Sequence, residues 1–336
     1  MKKIAFLFGG RSAEHEVSIL SAACLLPRLC QTANEIHPIF IDRDGSLYRL
    51  SAPEGLKEDG VDQKFLSPCV LCYGGASISF ESGDGTALVP DLFFSVLHGS
   101  YGEDGAWQGL FKLSGIPFIG CDVLSSAISM NKTVAKELIH AAGIPTAHWL
   151  SVRDAREGTL LSVEKLFSYP VFVKPAEAGS SFGASRADDR ASLCAALSEA
   201  FAYGEEVLVE EYIEGREISV ALLEKDGVFT VSPPGEILSD GLFDYDKKYN
   251  STHDALLCPA HITEEESRAL KDTAKRIFRI LRCRHVARID FFYTADGRLL
   301  FNEANTIPGF TSHSLYTRLL AYEGEDVLSL LEGENA

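Results

Sequence analysis

Two carboxylates and an amide near the C-terminus carry the clearest chemical signal in the chain. The stretch Ala287-Arg288-Ile289-Asp290-Phe291-Phe292-Tyr293-Thr294-Ala295-Asp296-Gly297-Arg298-Leu299-Leu300-Phe301-Asn302-Glu303-Ala304-Asn305 sets two β-prone runs on either side of Asp-Gly. That dipeptide is a strong signal for a hairpin with a two-residue turn. With Asp296 and Gly297 as the turn, Asp290 falls opposite Glu303 and Arg288 opposite Asn305. Side chains two apart share a face, so all four groups project together, with Phe292 and Phe301 beside them. Carboxylates directly opposed on a sheet repel, and a cation between them reverses the sign. Two carboxylates and an amide carbonyl are the hard oxygen donors that Mg²⁺ takes while it also holds substrate phosphates. The plainer alternative is a solvated face, against which the two phenylalanines argue.

The segment that follows, Thr306-Ile307-Pro308-Gly309-Phe310-Thr311-Ser312-His313-Ser314-Leu315, is a loop feeding a short helix over about 315–320. Free N–H groups and a hydroxyl at a helix start suit a carboxylate, and simple N-capping by Ser312 or Ser314 explains the same residues equally well. A second glycine- and serine-rich loop, Lys174-Pro175-Ala176-Glu177-Ala178-Gly179-Ser180-Ser181-Phe182-Gly183, leaves an apolar strand. Small residues let backbone N–H groups approach an anion, and Lys174 supplies a point charge for phosphate. Neither the P-loop nor the dinucleotide fingerprint is present, and an ordinary turn is the competing reading. Lys132, Lys247, Lys248 and Arg288 are further cations. Three of them in one cleft would make a nucleotide site, but spacing alone does not bring them together.

The elements that must position these groups alternate between strand and helix, which implies α/β units. Strands are expected at 4–8, 36–41, 92–97, 171–174 and 206–212. Helices are expected at 13–29 (capped by Ser12), 106–113, 132–142, 188–201 and 263–281. A chain of 336 residues exceeds one ordinary core. The divisions expected are 1–120, an N-terminal α/β domain; 121–212, a central domain; and 213–336, a C-terminal domain. The formal net charge of −17 argues against nucleic acid and anionic membranes, which demand a basic face. No apolar run approaches the ~20 residues of a membrane span. The apolar stretch Ile4–Phe8 stops at two glycines and is too short for a signal peptide, so a cytoplasmic protein is expected. The eight cysteines are expected as reduced thiols packed among apolar neighbours.

Together these segments resemble the D-alanine–D-alanine ligases of the ATP-grasp superfamily, over nearly the whole chain. The pieces are Gly9-Gly10-Arg11-Ser12-Ala13-Glu14-His15-Glu16-Val17-Ser18, His98-Gly99 with Gly102-Glu103-Asp104-Gly105, and Met130-Asn131-Lys132. They continue with Val173-Lys174-Pro175, Gly179-Ser180-Ser181, Phe243-Asp244-Tyr245-Asp246-Lys247-Lys248-Tyr249, Arg288-Ile289-Asp290, and Asn302-Glu303-Ala304-Asn305-Thr306 through Ser312-His313-Ser314. Their order and spacing are specific where each alone is modest.

The resemblance implies an α/β, three-domain ATP-grasp enzyme with ATP clamped between the central and C-terminal domains. It would join two D-alanines through an acyl phosphate for peptidoglycan precursors. By position, Glu14 would hold the first D-alanine's ammonium and His98 its carboxylate. Lys132, Lys174 and Lys248 would hold phosphates beneath the Ser180–Ser181 loop. Glu210, Glu211 and Ile213 would frame the adenine and Glu217 the ribose, although Glu211 stands where some relatives carry lysine. Asp290, Glu303 and Asn305 would bind two Mg²⁺, for which Mn²⁺ could substitute. Arg288 and the Gly309 N–H would stabilise the oxyanion, and Ser314 and the Leu315 N–H would take the second carboxylate. Tyr249, directed towards Ser180 and Glu14, goes with an amine as second nucleophile, whereas relatives using D-lactate differ there. A homodimer is expected. The rival readings are a ligase making another D-Ala-D-X dipeptide or D-Ala-D-lactate, and a non-catalytic nucleotide-binding module, which has little reason to keep opposed carboxylates.

Overall fold

The computed structural model describes residues 1–74, 77–83, 85–238 and 256–332. The chain opens with β1 (Lys3–Gly9), α1 (His15–Leu29), β2 (Glu35–Ile41) and β3 (Leu47–Leu50). A two-stranded ribbon follows, β4 (Leu56–Lys57) and β5 (Gly60–Val61), then β6 (Leu66–Gly74), β7 (Ser77–Ser82), β8 (Ala87–Leu88), β9 (Leu92–Ser95), α2 (Ala106–Ser114) and β10 (Phe118–Ile119). These strands other than the ribbon form one sheet in the order β10-β9-β1-β2-β3-β6-β7-β8. Pairing is parallel from β10 to β2 and antiparallel beyond. β1 is apolar from Ile4 to Phe8 and fully buried there, as a central parallel strand covered on both faces must be. The sequence reading places no strand between Ile41 and Leu92. The antiparallel extension occupies that interval: much of β6 lies exposed, while β7 alternates, with Ile78 and Phe80 buried between polar residues. Helix α1 begins at His15, two residues later than expected. Ser12 is not its cap: its hydroxyl accepts the Glu14 N–H at 3.1 Å and donates to the His98 carbonyl at 2.6 Å, tying the turn after β1 to the loop that follows β9.

Next come α3 (Val123–Met130), α4 (Lys132–Ala141), β11 (Trp149–Val152), α5 (Glu157–Leu166), β12 (Val171–Pro175), β13 (Ser185–Ala187), α6 (Arg190–Ala200) and β14 (Val207–Glu211). The four strands form an antiparallel sheet ordered β11-β14-β12-β13. Val171, Val173, Val207 and Val209 turn to one face and pack on Leu160, Val163, Leu193 and Leu197 of α5 and α6. By the two-residue period of a strand, Phe172, Lys174, Leu208 and Glu210 turn to the other face, towards the rest of the molecule.

The last unit holds β15 (Gly215–Lys225), β16 (Val228–Val231), β17 (Gly235–Ile237), β18 (Leu256–Leu257), α7 (Glu264–Ile280), β19 (Val286–Thr294), β20 (Leu299–Asn305) and α8 (Leu315–Ala321). Its antiparallel sheet runs β18-β17-β15-β19-β20, with β16 also on β15. Helix α7 starts in a reciprocal capping box of Thr263 and Glu266. It buries Leu270, Ala274, Ile277 and Phe278, at helical spacing, against Ile218, Val220, Ile289 and Phe291. Ala135 and Ile139 of α4 join the same cluster. Helix α4 therefore packs on this sheet although it precedes the central one in sequence.

The β19–β20 hairpin corrects the sequence reading in two places that cancel. The turn is a three-residue loop, Ala295-Asp296-Gly297. Thr294 N–H donates to Arg298 O at 3.0 Å and Gly297 N–H to Thr294 O at 2.9 Å, with Gly297 at φ +81°. Carried on regularly, that register would set Asp290 opposite Asn302. A β-bulge between Asp290 and Phe291 takes up one residue, Asn302, and restores the pairs Asp290–Glu303 and Arg288–Asn305. Before the bulge Phe301 pairs with Phe291. Phe301 is therefore fully buried in the core behind the sheet, not on the carboxylate face with Phe292 as expected.

Candidate active site

Glu14, at the turn into α1, is the meeting point of two units. It is 8% exposed, and the Ser180 hydroxyl of the β12–β13 loop donates to its Oε1. Two glycines make room for it. A Cβ on Gly99 or on Gly179 would lie 2.6 Å from Glu14 Oε2, closer than real Cβ contacts come. Ser180 and Ser181 stand at φ +50° and +60°, a left-handed region that costs a non-glycine residue about 1 kcal/mol or more. The loop thus holds a strained path with its hydroxyl on Glu14. Gly179→Ala is expected to lift the loop off Glu14 and raise KM for a substrate held by Glu14 roughly tenfold, while the melting temperature moves by only a few degrees. Steady-state kinetics beside a thermal melt would check this, and an unchanged KM would contradict it.

His98 lies behind Glu14 and is buried. Its Nδ1 is 2.9 Å from the Ile307 carbonyl and its Nε2 is 2.9 Å from Ser21 Oγ. A carbonyl only accepts, so Nδ1 carries a proton. Glu103 sits 3.4 Å from Nδ1. Its carboxyl is pushed up to about 7 by burial above all. The His98 hydrogen bond opposes this and the Glu14 charge adds to it. An unfolded glutamate titrates near 4.5, so between about pH 4.5 and 7 the folded chain holds the extra proton. Glu103 therefore adds to stability in full below pH 4.5, and this contribution is lost as pH rises through about 7. Glu103→Gln is expected to remove that slope. Melting curves from pH 5 to 8 should show a smaller fall for the variant than for the parent, and parallel curves would refute it.

Across the cleft, α4 and the central sheet bring together lysines that sequence spacing could not. Lys132 Nζ donates to the Ala178 carbonyl at 2.6 Å and lies 3.7 Å from Glu303 Oε2. Lys174 Nζ lies 3.0 Å from Glu210 Oε2 and donates to Asn302 Oδ1 at 3.1 Å. Burial pulls Lys132 below the usual lysine range, with Glu303 opposing. Asn302, named in the sequence only as part of a motif, is the bulge residue, and nothing in the sequence marks a bulge. Lys136 goes unremarked there. It is fully buried, with Nζ 2.9 Å from Glu210 Oε1, and its place four residues after Lys132 on one helix face was the available signal.

On the hairpin, Arg288 Nε and Nη2 grip Asp290 at 2.9 and 2.7 Å, and Ser219 Oγ donates to Asp290 Oδ1 at 2.6 Å. Glu210, Glu211, Ile213 and Glu217 line one cavity of about 330 Å³ with Phe172, Phe292 and Leu238, within the size range of small-ligand sites. Glu211 also turns a carboxylate oxygen to the His148 N–H at 2.9 Å. A Cβ on Gly309 would lie 2.6 Å from Ser314 Oγ. Ser314 is the N-cap of α8 by position but makes no side-chain cap bond. Its hydroxyl meets Thr311 N and Oγ1 at 3.2 and 2.8 Å, so the simple capping alternative falls away. Lys247, Lys248 and Tyr249 lie outside the described residues.

Comparison with known proteins bears on this arrangement. Residues 3–121 match the family model for the D-ala D-ala ligase N-terminus, and residues 138–333 match that for the D-ala D-ala ligase C-terminus. The D-alanine–D-alanine ligase of Caldicellulosiruptor bescii is 41% identical, with 98% of this chain and 93% of that protein covered. The D-alanine–D-alanine ligase A of Mesorhizobium japonicum is 40% identical over 96% and 93%. Among solved structures, the VanG D-Ala:D-Ser ligase from Enterococcus faecalis superposes with a TM-score of 0.87 at 38% identity, over 98% of this chain and 97% of that one. The D-alanine–D-alanine ligase from Coxiella burnetii gives 0.85 at 32%, over 99% and 93%.

Proposed function

This chain belongs to the D-alanine–D-alanine ligase family, and from that we propose that it joins two D-alanines at the expense of ATP on the ATP-grasp fold, supplying D-alanyl-D-alanine for peptidoglycan precursors. The observation that carries the reading is the convergence of Glu14, Lys132, Lys174, Asp290 and Glu303, drawn from three units of the chain, around one cleft. A carboxylate is a poor acyl donor. Transfer of the γ-phosphate of ATP to the first D-alanine's carboxylate oxygen gives an acyl phosphate and ADP. The second D-alanine's amine then attacks the carbonyl carbon, and inorganic phosphate leaves from the tetrahedral intermediate as the amine gives up a proton.

In this reading the protein acts mainly by positioning and charge neutralisation. Glu14 receives the first ammonium, with His98 and Glu103 behind it. The 330 Å³ cavity takes the adenine and ribose, between Phe172 of β12 and Phe292 of β19. Lys132, Lys174 and Lys248 meet the phosphates. Arg288 and the Gly309 N–H face the developing oxyanion, and Ser314 with the Leu315 N–H receives the second carboxylate, since its hydroxyl is not spent on capping. Tyr249 favours the amine nucleophile. Asp290, Glu303 and Asn305 present hard oxygens on one face, opposed in register, with Arg288 and Lys132 now balancing the carboxylates. Such a set fits Mg²⁺, which would neutralise phosphate charge there.

No helix among the described residues is long and apolar enough to cross a membrane, and we assign the reaction to the cytoplasm, where ATP is supplied. The test is phosphate release with ATP, Mg²⁺ and D-alanine, matched to dipeptide by chromatography, beside samples with added D-serine or D-lactate. D-alanyl-D-alanine from D-alanine alone supports the reading. Product only when a second acid or amino acid is added would overturn its specificity.

A further inference from the structure

Lys136, Glu210 and Lys174 form a buried charge triad in which one carboxylate faces two ammonium groups. Lys136 is fully buried, one turn beyond Lys132 on α4, with Nζ 2.9 Å from Glu210 Oε1 and 5.8 Å from the centre of the Trp149 ring. Lys174 takes the other oxygen, Oε2, at 3.0 Å. Glu210 sits on β14 directly opposite Trp149 of β11 and Phe172 of β12, and it lines the cavity assigned to the nucleotide.

A buried lysine is rare and costly unless its charge is matched. A purely structural ion pair would be complete with one lysine. The second leaves the triad itself with a net positive charge. That excess is expensive to bury and is relieved when an anion arrives. We propose that Lys136 is a positioning residue for nucleotide binding: by occupying one oxygen of Glu210, it prevents that carboxylate from monopolising Lys174 and leaves the Lys174 charge available to phosphate. The proposal rests on the nucleotide reading of the cleft. Burial alone would raise Glu210, but the two lysines outweigh it and hold the carboxyl below its usual range. Burial pulls the Lys136 ammonium down, with Glu210 opposing.

The test is a double-mutant cycle over the parent protein, K136M, E210Q and K136M/E210Q. It is read by calorimetric titration with ATP in the absence of D-alanine, with KM for D-alanine and melting temperature measured alongside. K136M is expected to weaken ATP binding about tenfold or more while KM for D-alanine stays within about twofold. In the E210Q background the same change is expected to cost about threefold or less, because no carboxylate remains to draw Lys174 away. ATP binding by K136M equal to the parent, or an equal loss in both backgrounds, would overturn the proposal. Should K136M not fold, K136Q carries the same comparison. Because the titration needs no ligation, a parent protein that binds ATP but forms no dipeptide would sink the ligase reading and leave this one standing on its binding arm.

Discussion

Glu303→Gln is expected to lower kcat for dipeptide formation by about 10³-fold, roughly 4 kcal/mol in the barrier, while ATP still binds within about tenfold of the parent. Glu303 stands opposite Asp290 across β19 and β20, in a register set by the bulge at Asn302. Asp290 is gripped by Arg288 and Ser219, and Glu303 lies 3.7 Å from Lys132. Glutamine keeps the shape and one carbonyl oxygen but removes the charge. Interactions that matter mainly where charge develops depress kcat more than binding. Rapid-quench measurement of acyl phosphate and ADP against an ATP titration would separate the two. A variant turning over within tenfold of the parent would remove Glu303 from the phosphate chemistry.

Glu14→Ala is expected to reduce kcat/KM for D-alanine by about 10²–10³-fold, since truncating one partner of a buried charge pair costs roughly 2–5 kcal/mol. Two losses add. On the proposed assignment the first substrate's ammonium loses its carboxylate, and the Ser180 hydroxyl loses the acceptor that draws the β12–β13 loop across the cleft. With Ser180 and Ser181 held in left-handed conformations, a loop without that tether relaxes readily. Limited proteolysis should therefore cut the variant faster within 176–184. Parent-like proteolysis together with lost activity would confine Glu14 to substrate binding and refute the tether.

The opposed carboxylates were legible in the sequence because β-prone runs around Asp-Gly announce a hairpin. The details beneath that result were not. Asp-Gly also suits a three-residue loop with glycine left-handed, and no residue type announces a bulge, so Phe301 was assigned to the wrong face of its strand. Lys136 does not stand out in the sequence because a lysine on an amphipathic helix is ordinarily solvated, and its burial depends on a glutamate far along the chain. The strands between Leu47 and Leu88 differ in legibility: much of β6 is exposed, whereas β7 carries a readable alternation, with Ile78 and Phe80 fully buried between polar residues. The side chains brought to Glu14 come from loops, which have no periodicity to read.

Helix α4 has one further consequence, for how spent nucleotide departs. Its apolar side, through Ala135 and Ile139, is part of the C-terminal core. Its charged side is bound to the central sheet through Lys136 and Glu210, and its first N–H donates to the Ala176 carbonyl at 2.9 Å. If the two sheets part to let ADP out, the helix cannot travel with both, and one set of bonds has to yield. The same rivet that holds Lys132 and Lys136 in place thereby ties the central sheet to the C-terminal one.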